Sequence, residues 1–479
     1  DDLRLRPEID HSTRLPLLFF FTSAAAWLVL SAVLGFVASM KLHSPDSFDL
    51  GAFTTYGRVY PALMNALIYG WGFQAAYGVV IWMMARICRV PVRNPVTLVV
   101  AGHLWNLGVF VGVVAILCGM GTSMVWMEFP AFIWPLLLLS YLMIMIWTVV
   151  IFRARRDAEI YISQWYLLAA IFLFPWIYLT ANLFVHVFPG AGVISSAISA
   201  WYGSALLFLW FTPIGLATSY YLIPKILGRP ITSYKLAKIG FWALMIIGGW
   251  AGMQRFMGGP LPSWMTTIGS EATILLLLPA LAVALNQYLT VRGNIGYMQY
   301  SPTLRFTLFG TFGFTLTVLF AAAMSFFGVG RILQFTLAVE GFDMLALYGF
   351  FSMTMFGAFY FIAPRVTRCE WLSGRLIRFH FWTSAYGIIT LVSFMIIGGA
   401  AQGGAQARWD ASFEVSVTFL SLYIVAQCIG WGLILLSNLI FLFHVLLMAV
   451  RLGRRTSTGP TLIHDLPEER DLNASTAKA

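Results

Sequence analysis

Apolar runs of about 20 residues recur along the chain and alternate with short polar segments that hold most of its Lys and Arg. A helix of about 20 apolar residues spans the hydrocarbon core of a bilayer. Lipid offers the backbone no hydrogen-bond partner, so such spans must be helical. The pattern predicts an all-α fold, a polytopic membrane protein built as a twelve-transmembrane-helix bundle. The predicted spans are 15–39, 61–85, 96–119, 130–152, 163–186, 200–223, 236–257, 268–291, 306–328, 338–363, 380–400 and 413–448.

The basic residues predict the orientation of this bundle. All but five of the 29 Lys and Arg residues fall in segments that lie on one side if the spans alternate. Basic loops stay in the cytoplasm, so we expect both termini there. The chain then divides into a cytoplasmic N-terminal segment (1–14), the transmembrane domain (15–450) and a cytoplasmic tail (451–479). The five basic residues on the other side are Lys41, Arg58, Arg255, Arg331 and Arg408.

Composition narrows the partners and cofactors. The chain is 60% hydrophobic and only 10% charged, whereas soluble domains carry about 25% charged residues. Its net charge of +10 is expected to face anionic membrane lipids, and no nucleic acid partner is predicted. The four cysteines form no CxxC or CxxCH motif, so neither a thiolate metal site nor covalently attached haem is indicated. No two of the seven histidines lie four residues apart on one predicted helix, so no histidine ligand cluster is indicated either.

Seven motifs, spread over nearly the whole chain, are distinctive: YGRVYPALMNALIYG (56–70), YISQWYLLAA (161–170), AWYGS (200–204), YYLIPKILGRPITSYKLAKIGFWAL (220–244), WAGMQRFMGGPLPSW (250–264), GAFYFIAPR (357–365) and FHFW (379–382). They resemble motifs of the catalytic subunit I of cbb-type, or C-family, haem-copper cytochrome c oxidases. The resemblance implies an integral subunit of a respiratory or electron-transfer complex in the bacterial inner membrane, with other integral subunits and c-type cytochrome subunits as partners.

The positions that align with the family's haem and copper ligands carry other residues. The resemblance places the helix 2 haem ligand at Leu63 and the helix 10 ligands, one for each haem, at about Phe342 and Met344. It places the redox tyrosine at Gly248. The three copper ligands fall at Ser204, Gln254 and Arg255.

These substitutions disfavour a haem-copper centre. Copper needs imidazole lone pairs, which Gln replaces poorly and Arg cannot replace, because its guanidinium stays protonated. Copper is therefore not expected. Met64, His103 and Met344 are weak candidates for binding a low-spin haem, which stays open. Methionine more often fills a core than binds iron. Bound lipid or quinone also stays open, since many of the aromatic residues could line such a pocket.

Charged residues near the spans are the remaining chemical signal. A carboxylate at membrane depth is costly and is usually paired or functional. The favoured interpretation is an Arg–carboxylate cluster that replaces the metal centre, and the alternative is a proton or ion path. Glu128, within MEFP, resembles a family carboxylate and is either a weak cation ligand or a helix cap. The predicted cluster comprises Arg255, Glu271, Arg331, Glu340 and Asp343.

Three functions follow from the sequence. The first is a subunit that is not catalytic alone, lacks its own haem-copper site and acts as a membrane scaffold for redox partner subunits. The second is an active cytochrome c oxidase or nitric oxide reductase-like oxidoreductase with unusual haem ligands. The third is a proton or ion translocating channel or transporter on the same bundle.

Overall fold

A computed structural model describes residues 2–188, 192–410, 412–452 and 454–455. Within them, twelve helices are long and apolar enough to cross a membrane. The twelve helices are α1 (Leu5–His43), α2 (Tyr56–Cys88), α3 (Pro95–Leu117), α4 (Trp134–Arg153), α5 (Ile162–Val187), α6 (Val193–Leu227), α7 (Tyr234–Phe256), α8 (Ser263–Val291), α9 (Pro302–Ser325), α10 (Leu337–Thr367), α11 (Gly374–Gln406) and α12 (Phe413–Ala449).

The nearly all-helical bundle confirms the predicted fold class, although the helix ends differ from the apolar runs. Most helices continue beyond the predicted apolar runs into the polar residues that flank them. The largest difference is at the N-terminus, where helix begins at Asp2 and the expected polar segment 1–14 is part of α1. Asp10 stabilises this extension, because it accepts a bidentate pair of hydrogen bonds from Arg86 of α2 at 2.9 and 2.7 Å.

A short strand pair and a short helix lie outside the twelve long helices. Cys369–Glu370 pairs antiparallel with Arg454–Arg455 as strands β1 and β2. A helix at Phe327–Leu333 joins α9 to α10. Most of the predicted cytoplasmic tail 451–479 lies outside the described residues.

Three helices form the interior of the bundle. α2, α6 and α10 are buried along nearly their whole length, whereas the other helices keep exposed faces. Each of the three contains a π-helical segment. π-helical turns are rare and often lie at functional sites. The segments are Ala66–Gly72, Leu207–Phe211 and Leu345–Ser352.

These π-helical segments follow the positions that the resemblance aligns with metal and haem ligands. Leu63 and Ser204 each lie three residues before a segment, and Met344 lies directly before the third. The interior around them is packed with aromatic rings. The Trp71 ring centroid lies 5.3 Å from that of Phe356, for example. The scaffold around the aligned positions is thus a dense aromatic core.

The two ends of the bundle differ in charge. We call one of them the basic end, because Arg6, Arg86, Lys225, Arg229 and Arg365 meet there around one cavity. These residues come from segments far apart in the chain, and the sequence pattern assigned all of them to one side. The opposite end, where Arg255 lies, holds the candidate site.

Candidate functional site

The end of α7 turns inward because of a glycine. Gly252 has a φ of +118°, a region that a β-carbon disfavours. A β-carbon there would also lie 2.8 Å from both the Ala200 carbonyl oxygen and Ser204 Oγ on α6. This close approach carries the next turn, Met253–Phe256, against α6, so that the side chains of Gln254 and Arg255 point toward the interior.

Arg255 forms an ion pair with α10. Its Nη2 lies 3.2 Å from Asp343 Oδ1, and the two side chains are 19% and 6% exposed. The guanidinium carbon also lies 5.9 Å from the centre of the Phe342 ring. A desolvated guanidinium is costly, and the carboxylate and the ring face both offset part of that cost. The pair therefore joins the end of α7 to α10.

The Gln254 side chain stabilises its own loop. Its side chain is buried, and Oε1 accepts a hydrogen bond of 2.7 Å from the Gly252 backbone N–H. This bond holds the amide oxygen against the turn. Gln254 thus maintains the loop that presents Arg255.

Two further carboxylates surround the ion pair. Glu340, one turn before Asp343 on α10, accepts a 3.3 Å hydrogen bond from Tyr56 Oη. Glu128, in the segment between α3 and α4, accepts a 2.7 Å bond from Asn65 Nδ2. Burial raises the pKa of Glu128 to about 7, and the Asn65 bond opposes this shift. Glu128 does not cap α4, because that helix begins at Trp134.

Two cavities open beside these groups. The larger, of about 650 Å³, is mainly apolar, and Tyr56, Arg255, Glu340 and Asp343 are among the polar residues that line it. The smaller, of about 360 Å³, is lined by Met64 and Glu128. Asp343 lines both. The larger cavity is wide enough for a lipid chain or a quinone ring, whose binding stays a prediction.

Two members of the predicted charge cluster lie elsewhere. Glu271 is exposed on α8, where the buried face is formed by Ser270 and Thr273. Arg331 is exposed on the short helix between α9 and α10. Both residues fall on solvent- or lipid-facing sides of their helices, so neither joins the ion pair. The five-residue cluster is corrected to Arg255 and Asp343, with Glu340 on the same cavity.

The positions that the resemblance aligns with haem and copper ligands carry side chains other than histidine. Leu63 and Phe342 are buried and have no donor atom. Met64 and Met344 are buried thioethers on α2 and α10. His103 is exposed, with its ring stacked 4.4 Å from that of Phe19, so it points away from the interior. Across the described ranges, no group of three or more His, Cys, Asp or Glu side chains could hold a metal ion.

Two further histidines are buried, one on α11 and one on α12. His380 Nδ1 and Tyr360 Oη share a hydrogen bond of 2.8 Å. The His380 ring stacks on that of Phe441, with the ring centroids 5.0 Å apart. His444 packs 5.6 Å from the ring of Trp371. The Nε2 of His380 and both ring nitrogens of His444 are buried and have no hydrogen-bond partner among the described residues.

The comparisons identify the class of protein that has this fold. The profile of the family described as cytochrome c and quinol oxidase polypeptide I matches residues 16–433. The chain therefore belongs to this family of haem-copper oxidase subunits, which confirms the resemblance seen in its motifs. Membership implies an integral multi-pass membrane subunit of a multisubunit complex, and haem is typical of the family.

Individual relatives agree with this assignment. The chain is 26% identical over 453 residues to a cytochrome c oxidase subunit 1 homolog of Agrobacterium tumefaciens, covering 90% of this chain and 83% of the relative. It is 24% identical over 457 residues to the cbb3-type cytochrome c oxidase subunit CcoN1 of Stutzerimonas stutzeri, covering 93% and 95%. A solved haem-copper terminal oxidase dimer matches with a TM-score of 0.72 at 14% identity, covering 96% and 89%.

Proposed function

We propose that this chain is a membrane subunit of a redox complex that lacks a haem-copper centre of its own. In this proposal it acts as a scaffold for redox partner subunits, including c-type cytochromes, in a bacterial cytoplasmic membrane with both termini in the cytoplasm. The observation that carries the proposal is the ion pair between Arg255 and Asp343. By motif alignment, Arg255 and its neighbour Gln254 take the positions of the family's two adjacent copper-binding histidines.

The chemistry of the pair opposes metal binding. A guanidinium has no lone pair to offer a metal, and its charge repels a cation. Asp343 is already neutralised by Arg255, so a copper ion would have to displace that partner. The Gln254 amide oxygen already accepts a bond from the Gly252 N–H. Each group at this position therefore has a structural partner within the protein.

Analysis of the native complex tests this proposal. We would tag the chain, purify it from its own membranes, and measure copper, haem b and haem c together with the proteins that copurify. We expect less than stoichiometric copper and a c-type cytochrome among the partners. Salt or detergent treatment that releases the partners should remove the haem c signal from the chain. Copper at one ion per chain after that treatment would support the oxidase or nitric oxide reductase-like alternative instead.

A second candidate function, proton movement through the bundle, is favoured by a buried polar row between α10, α11 and α12. It runs from Tyr360 and His380 to Ser437, whose Oγ donates to the His380 carbonyl oxygen at 3.3 Å. It continues with Asn438, which accepts a 2.6 Å bond from Tyr348 Oη. Vesicles containing the purified chain and a pH-sensitive dye test it. Proton flux that is lost in His380→Phe would favour this function over the scaffold.

A further inference from the structure

A cavity at the basic end has an unusual excess of positive charge. Its volume is about 650 Å³, and it lies between the ends of α1, α2, α6 and α10. One carboxylate, Asp157, is on its wall, where it pairs with Arg89 Nε at 3.4 Å, and Asp10 lies just behind the wall, where it binds Arg86. The cationic side chains on the wall are Arg6, Arg86, Arg89, Lys225, Arg229 and Arg365.

Two of these arginines are held in place by neutral partners. Arg229 Nη2 donates to the Arg292 carbonyl oxygen at 2.9 Å. Arg365 donates to the Phe361 carbonyl oxygen, and its guanidinium carbon lies 3.5 Å from the centre of that residue's ring. A carbonyl or a ring positions a guanidinium without cancelling its unit charge. The Nε of Arg229 is buried and has no acceptor among the described residues.

The shape of the cavity suits a group with several negative oxygens next to an apolar part. Guanidinium forks match the geometry of phosphate oxygens, and lysine adds a point charge. The rings of Trp82, Tyr221 and Phe361 also line the wall, so the charged groups lie beside an apolar surface. A phosphate ester offers several oxygens to these donors.

We propose that this cavity binds a phosphate group. The group is carried either by an anionic phospholipid of the adjacent leaflet or by a soluble phosphate compound. The site is independent of the proposed scaffold function and of the Arg255–Asp343 pair at the opposite end.

Lipid and phosphate titrations of the full chain in detergent test this proposal. The probes are dioleoyl phosphatidylglycerol, dioleoyl phosphatidylcholine and inorganic phosphate, with binding followed by native mass spectrometry. The test variant is Arg89→Gln with Lys225→Gln, two exposed residues of the wall. The control is Lys235→Gln with Lys238→Gln, which removes the same charge from exposed positions that do not line the cavity.

We expect the test variant to bind phosphatidylglycerol about thirtyfold more weakly, since each basic residue near an anionic headgroup contributes about one factor of five to six. The control variant should match the parent chain. Phosphatidylglycerol binding that inorganic phosphate does not displace would assign the site to lipid, and displacement would assign it to soluble phosphate. Equal binding of phosphatidylglycerol and phosphatidylcholine together with no phosphate binding, or equal losses in both variants, would overturn the proposal.

Discussion

Arg255 Nη2 and Asp343 Oδ1 lie 3.2 Å apart across the interface of α7 and α10. The two residues are 88 positions apart in the chain. Both side chains are largely removed from solvent. Removing one member of a buried ion pair leaves the other charged and desolvated, which costs more than the pair contributes. A single substitution at this contact should therefore destabilise the protein more than a double substitution that removes both charges.

Arg255→Met should destabilise the protein by about 3–5 kcal/mol, because Asp343 would remain as a buried carboxylate without its cation. Thermal unfolding of the purified protein in detergent measures this. Arg255→Met combined with Asp343→Leu removes both charges and should recover much of the loss.

Arg331→Met serves as the matched control, because it makes the same chemical change at an exposed arginine. We expect its unfolding temperature to stay close to that of the parent chain. If Arg255→Met were equally harmless, the ion pair would contribute nothing to stability. It would then not serve as a structural replacement for a metal centre.

The apolar runs predicted the fold because lipid enforces helices wherever the chain crosses the membrane. The sequence also singled out Arg255 and Asp343, since charges near apolar spans are rare. It could not separate these from Glu271, because whether a residue near a helix start faces inward depends on how the helix is rotated. That rotation is set by neighbouring helices.

Other features of the structure could not be predicted from the sequence. The π-helical segments of α2, α6 and α10 arise from a one-residue shift in backbone hydrogen bonding, which the side chains do not encode in a simple period. The cavity at the basic end needed the fold as well, because Arg6, Lys225 and Arg365 come from distant segments. Their common side was predictable from the alternation of basic loops, but their meeting around one space was not.

Glu128 should make stability depend on pH. Its pKa is raised to about 7 from 4.5, so the folded state binds the proton more tightly than the unfolded state does. The stability from this group is therefore full below about pH 4.5 and is lost as pH rises through about 7, by roughly 2–4 kcal/mol. Unfolding temperatures measured between about pH 5 and about pH 8 should fall less steeply in Glu128→Gln than in the parent chain.

The glutamine can still accept the bond from Asn65, so this variant tests charge rather than hydrogen bonding. Glu414→Gln, at an exposed position at the start of α12, is the control and should leave the pH profile unchanged. Identical profiles for Glu128→Gln and the parent chain would contradict the predicted proton uptake at this carboxyl.

The native cysteines allow the orientation to be tested in intact cells. Cys118 is exposed just after α3, on the side that the alternation of basic loops predicts to be outside. A membrane-impermeant maleimide should label it, and Cys118→Ala should remove that label. A cysteine introduced by Ala477→Cys in the Cys118→Ala chain should react only after the cells are opened. Labelling of that tail cysteine in intact cells would reverse the predicted topology.

Tyr348 and Asn438 connect α10 to α12 in the interior of the bundle. Tyr348 Oη donates a 2.6 Å hydrogen bond to Asn438 Oδ1, and both residues are buried. Tyr348→Phe leaves that oxygen without its donor in a dry environment, so we expect a loss of about 1–3 kcal/mol in thermal unfolding.

Two further variants separate this hydrogen bond from general packing. Tyr386→Phe removes a hydroxyl from an exposed face of α11 and should change little. Tyr348→Phe with Asn438→Leu removes both partners, and it should be more stable than Tyr348→Phe alone, because no polar atom is then left unsatisfied there. If the double variant were instead less stable than the single one, Asn438 would stabilise the protein mainly through its other contact. That contact is a 3.4 Å hydrogen bond from Asn438 Nδ2 to the Leu28 carbonyl oxygen on α1.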